Sequence, residues 1–139
     1  MSKLSDFAEN KIIDTWLRTA AAYKPTAIYV GLWTATLADD STGATAGEVS
    51  GGSYARVQMT QADGTWDATV GGDGHTSNTA AITFTTATAG WGSVTDVCLV
   101  DTSAGAGNIL FYGALTTPKT VNSGDTFKFN AGALDITLA

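Results

Sequence analysis

Residues 125–138 read DTFKFNAGALDITL, and their order decides the fold class. Phe127 and Phe129 flank Lys128, then Leu134, Ile136 and Leu138 alternate with Asp135 and Thr137. Period-two alternation sends one set of side chains to each face of an extended chain. Asp125–Asn130 and Ala133–Leu138 are therefore predicted as half-buried strands. Working back, Asn108–Leu115 (NILFYGAL) and Ser93–Asp101 (SVTDVCLVD) read as two more, with Val94 in phase with Cys98 and Val100. Pro118 is expected to interrupt the chain after the first of these, because it has no N–H for a ladder. Ala80–Thr85, Thr65–Val70, Tyr54–Met59 and Ala27–Thr34 complete about eight strands. In Ala27–Thr34, Ile28, Val30 and Leu32 fall on one face and Tyr29 and Trp33 on the other. Many short strands with turn residues between them predict an all-β, antiparallel two-sheet sandwich, jelly-roll-like in its winding. The Gly-, Thr- and Ala-rich stretches 35–53 and 71–78 are expected to be long loops facing partners or solvent.

The N-terminus follows another rule. Leu4, Phe7, Ala8, Ile12, Ile13, Trp16, Leu17 and Ala20 recur at three- and four-residue steps, so 1–22 is predicted to hold one amphipathic helix with these residues on one stripe. Ser2 or Ser5 suits its cap, Asp6 and Glu9 its positive end, and the helix stops before Pro25, near Ala21. The stripe either covers its own sandwich or docks on a neighbour. The chain of 139 residues is thus read as a single domain, 1–139, with the helix in 1–22 and the sandwich in 26–139.

Composition narrows the function. Charged residues make up only 14% of the chain, below the usual quarter, which suits a surface covered by partners. The net charge of −6 repels phosphate, so neither nucleic acid nor an anionic membrane is an expected partner. The one cysteine, Cys98, sits in an apolar run and reads as a buried, inert thiol. The first residues carry acids where a signal peptide needs an apolar run, so synthesis in the cytoplasm is expected.

No catalytic signature appears. His75, in a Gly-rich loop, reads as a solvated histidine, because a triad needs a held imidazole. One Cys and one His in unrelated segments make no zinc site. Asp39, Asp40, Glu48, Asp63, Asp67 and Asp73 are loop acids that could only in concert hold calcium, and their spacing is not that of a helix–loop–helix calcium site. No phosphate-binding glycine motif precedes a helix. The expectation is no enzyme, no cofactor and no metal. Trp33, Trp66, Trp91, Tyr23 and Tyr54 offer either a carbohydrate-stacking face or, the favoured reading, core and interface anchors.

Four stretches taken together, SKLSDFAENKIIDTWLRT, EVSGGSYARV, NTAAITFTTATAGWGSVTDVCLVD and ILFYGALTTPKTVNSGDTFKFNAGALDITL, resemble a family of small tailed-bacteriophage virion proteins. Members carry the labels head decoration (cement) protein or tail fibre protein. The resemblance implies a many-copy, jelly-roll-like structural protein without enzymatic activity. In size and pattern it is also similar to cement proteins on HK97-type capsids. The expected function is then capsid decoration: binding across capsomer junctions on the outer surface of the virion, with the major capsid protein and copies of itself, as dimer or trimer, for partners. A tail or fibre component binding host surface glycans is the alternative, and a glycan hydrolase a more distant one. Phe7, Ile12, Ile13 and Trp16 are the expected anchors, with Trp33 and Tyr54 as further interface candidates.

Overall fold

The computed structural model describes residues 2–69, 72 and 74–138. Its framework is an antiparallel sheet in the order β1 (Lys3–Leu4), β7 (Ile109–Val121), β6 (Gly92–Val100), β2 (Ile28–Trp33), β3 (Val57–Met59). Two short ribbons accompany it: β4 (His75–Ser77) with β9 (Asp135–Thr137), and β5 (Ile82–Thr83) with β8 (Lys128–Phe129). The helix α1 spans Asp6–Leu17.

The pairs β4·β9, β5·β8 and β6·β7 are nested one inside the next. This is one long antiparallel hairpin with its tip at 101–108, folded so that its open end lies on its own stem. Such winding is what makes a jelly roll, and it gives the sandwich the alternating residues called for. Ile82, Phe84, Phe127, Phe129, Leu134 and Ile136 on the ribbon side bury against Val30, Leu32, Val94, Val97, Leu99 and Val121 of the sheet. Each fully buried side chain of this kind contributes about 1.5–3 kcal/mol.

β6 is buried on both faces, which explains its unbroken apolar run. Val97 and Leu99 enter the core under the ribbons, while Cys98 and Val100 join Trp33, Leu37, Ile109 and Tyr112 on the other side. Val94 belongs with Val97 and Leu99, not with Cys98 and Val100. A register shift between Val94 and Asp96 adds residues to β7 and changes the phase. β7 also runs through Pro118. Pro118 falls opposite that irregularity, where β7 carries residues 115–118 between two ladder positions, so the missing N–H costs no regular bond.

Other expectations change. The stretch 71–78 contains β4, so His75 is a strand residue. The segment 65–69 forms no regular strand; Trp66 makes only isolated bridges to Asp63 and Asn78, and Val70 lies outside the described residues. Leu138 is 54% exposed, beyond the end of β9. The helix ends at Leu17, short of Ala21, because Arg18 turns to extended backbone. The loop 35–53 does not stand free. Leu37 is buried with Trp33, Cys98 and Val100, and Trp33 Nε1 donates to Thr45 O at 3.0 Å, so this part of the loop closes the second face of the sheet, while Val49 enters the core under the ribbons.

Candidate functional site

The helix is mounted on the sandwich by its first turn. Ser5 is buried, caps α1 by accepting from Ala8 N at 3.2 Å, and donates its hydroxyl to Ile109 O. Ser5 N donates to Leu110 O at 3.2 Å and Asp6 N to Asp39 O at 2.9 Å. The Tyr112 hydroxyl donates to the Asp39 carboxylate. The preceding Lys3 and Leu4 pair with Tyr112 and Phe111. A capped helix start hydrogen-bonded to a central hairpin cannot swing freely, so sequence fixes direction here as well as conformation.

A strap holds the return chain. Phe7 meets Tyr23 edge-to-face at 5.1 Å, and the Tyr23 hydroxyl donates to Asp101 Oδ2 at 2.8 Å. Asp101 also accepts from Asn108 N and Nδ2, both at 2.7 Å. Desolvation first, then the Asp101 carboxylate, pushes the Tyr23 hydroxyl up to about 12. Next to this strap the buried Arg56 guanidinium binds Glu48, Thr102 and the carbonyls of Gly43 and Gly105. Loops 35–48 and 101–108 are thereby locked to one another beneath the helix.

The far end of α1 is the opposite case. Ile13 is 51% exposed, Trp16 77% and Leu17 80%, all on one side of the last turns. The single stripe expected from the spacing is split. Ala8 is buried and Ile12 half-buried against the body, whereas Ile13, Trp16 and Leu17 face out. Phe7 is half-buried on Tyr23, with Lys11 Nζ 5.5 Å from its ring centroid. Of the expected anchors, then, Ile13 and Trp16 are presented, Phe7 and Ile12 partly spent on the fold. Leu17 belongs with the presented pair, and its periodicity gave the signal for it.

Trp33 and Tyr54 are not presented. Trp33 is fully buried, and Tyr54 is engaged from two sides, its hydroxyl accepting from Leu32 N at 2.9 Å and lying 3.2 Å from Glu48 Oε1. Burial, the largest cause, pushes the Tyr54 hydroxyl far above its ordinary value. The five aromatics of a carbohydrate face are not brought together: Trp91 packs with Tyr54 and Phe84 in the core, Trp33 lies on the other side of the sheet, and Tyr23 is in the strap.

The loop acids are likewise dispersed. Asp39 accepts from Tyr112, Glu48 pairs with Arg56, and Asp67 Oδ2 accepts from Ser77 Oγ at 2.7 Å. Asp73 lies outside the described residues. Among the described residues no three His, Cys, Asp or Glu side chains are grouped to hold a metal ion. His75 Nε2 lies 3.1 Å from Asp135 Oδ1 across the β4·β9 ribbon. Among the described residues no helix is long and apolar enough to cross a membrane.

What this end of the protein can do is mechanical: a rigidly seated helix offers an apolar tip. No curated protein matches the chain. The family described as "Podophage GP4 fiber I protein gp80" matches residues 3–137, nearly the whole chain. The mounted helix, both cores and every strand lie inside that match, and the chain belongs to this family of phage virion proteins.

Proposed function

We propose that this chain is a non-enzymatic structural subunit of the fibre of a podophage virion. The match of residues 3–137 to a podophage fibre protein carries the reading. The architecture supports it. A load-bearing subunit must transmit force without rearranging, and here a sandwich with two buried clusters is cross-tied at the helix end by Ser5, Tyr23, Asp39 and Arg56. The body is the strut and the apolar tip of α1 its attachment. The dispersed aromatics favour scaffolding over capture of host glycans. A cement protein across capsomer junctions, with the major capsid protein as partner, would use the same exposed tip, but the family match weighs for the fibre.

The test is location and copy number on intact particles. Gold-labelled antibody against this chain is expected at the tail, with few copies per virion. Labelling spread over the head, at a stoichiometry near that of the major capsid protein, would overturn the fibre reading and restore capsid decoration.

A further inference from the structure

We infer that the apolar end of α1 is a contact between copies of this chain, two helices packing antiparallel about a two-fold axis near Trp16. The inference rests on the fibre reading only in taking the helix tip as an attachment. Area is the first support. A Trp side chain offers roughly 150–250 Å², so Trp16 with Ile13 and Leu17 at their observed exposures presents roughly 400 Å². A stable interface covers about 800 Å² per partner, a little over half of it apolar. The tip is therefore the size of the apolar centre of one such interface, and the polar surface around it supplies the rim.

Charge selects the occupant and its direction. Within residues 13–18 of the helix end the charged pair is Asp14 and Arg18, with Arg18 Nε 3.4 Å from Asp14 Oδ1, so this stretch is neutral on a chain of net charge −6. Two like copies can meet there without the repulsion they feel elsewhere. The acids Asp6 and Glu9 sit in the first turn, and no basic residue sits in the last. Parallel packing would stack the acidic turns of two copies. Antiparallel packing puts them at opposite ends. At about 1.5 Å rise per residue each Asp6 is about 15 Å from Trp16, so the first-turn acids of the two copies lie about 30 Å apart, well beyond the ~8 Å screening length. A two-fold contact of this kind closes on itself.

The experiment is sedimentation of the full chain over a range of concentrations, with W16D/L17D beside it. Both substituted residues are exposed, so the fold is expected to survive, with unchanged far-UV circular dichroism and melting temperature. The wild type should dimerise, and the variant's dissociation constant should rise roughly 30-fold or more, as for loss of a central interface aromatic. A wild type monomeric throughout, or a dimer indifferent to W16D/L17D, would each overturn the contact. Virion location is a separate readout. A monomer found in the fibre overturns the helix contact alone, and a dimer found on the head overturns the fibre reading alone.

Discussion

Arg56 and Glu48 form a two-pronged ion pair inside the protein: Nε lies 2.6 Å from Oε1 and Nη2 lies 2.8 Å from Oε2, with the Arg56 side chain only 1% exposed. Of the three remaining N–H groups, the two on Nη1 go to Thr102 O and Oγ1 at 3.0 and 2.9 Å, and the second on Nη2 is shared between Gly43 O at 3.1 Å and Gly105 O at 3.0 Å. Burial works against the charge on Arg56, but the Glu48 hydrogen bonds and charge outweigh it and raise its pKa. A lysine could not satisfy this set, because only the planar guanidinium offers two parallel donors to a carboxylate and others to flanking carbonyls.

Removing one partner should therefore cost far more than the pair itself contributes. Arg56→Ala leaves Glu48 without its counter-charge and strands two glycine carbonyls, at an expected cost of about 3–5 kcal/mol. Arg56→Lys should recover only part of it. Urea unfolding checks both. A loss below about 1 kcal/mol in Arg56→Ala would mean that water replaces the guanidinium and that the loops are not locked.

The two loops meet at Gly43. A Cβ there would lie 2.5 Å from Gly105 O, 2.8 Å from Gly107 N and 3.2 Å from Arg56 Nη2. Backbone atoms cannot yield as a side-chain end can, so Gly43→Ala should destabilise by about 1–3 kcal/mol through overpacking. It should also be non-additive with Arg56→Ala, because both substitutions loosen one junction. A double-mutant cycle by thermal melting gives the coupling. Strict additivity would separate the loop contact from the ion pair.

Cys98 gives a chemical probe of the second face. Burial pushes its thiol up to about 12, partly offset by Arg56. At pH 8 the thiolate fraction is then on the order of 10⁻⁴, and the sulfur is enclosed as well. A thiol-exchange reagent should leave the native protein unmodified over hours and titrate one thiol in denaturant. Rapid native reaction would show that the cover made by Leu37 and loop 35–53 opens.

How far the sequence reached depends on what each residue reports. Alternation at 125–138 gave β8, β9 and the inward set Phe127, Phe129, Leu134 and Ile136, because burial on one face leaves a period of two. It misplaced Val94, because a bulge changes phase without changing composition. β1 and β4 were missed since Lys3–Leu4 and His75–Ser77 are strands by partnership alone; neither has alternation of its own. At the candidate site the spacing of Ile13, Trp16 and Leu17 was visible, but spacing cannot tell which side of a helix meets the body. That is set by Ser5 and Asp6 gripping residues more than thirty positions away in sequence. Arg56 gave no signal at all. A lone arginine after Tyr54 acquires its role only from loops brought to it by the fold.

The hydrogen bond from Tyr23 to Asp101 should be legible in stability from both ends of the pH scale. Partial burial raises the Asp101 carboxyl, but the Asn108 side chain, the Tyr23 hydroxyl and the backbone N–H of Asn108 outweigh it and hold the pKa below the ordinary 3.8. A lowered folded-state pKa means that folding favours the carboxylate, so this contribution is present above pH 3.8 and is lost as pH falls through the folded-state value. Tyr23 has the opposite sign. Its pKa is raised from 10.0 to about 12, so folding favours the neutral phenol, and that contribution is full below pH 10 and is lost as pH rises toward 12. Tyr23→Phe removes the bond and keeps the ring against Phe7. The urea-midpoint difference between wild type and Tyr23→Phe should be largest near neutral pH, narrow below pH 3.8 and narrow again above pH 10. A difference constant from pH 3 to pH 11 would show that the strap is held by the Phe7–Tyr23 ring contact, with the hydrogen bond contributing nothing measurable.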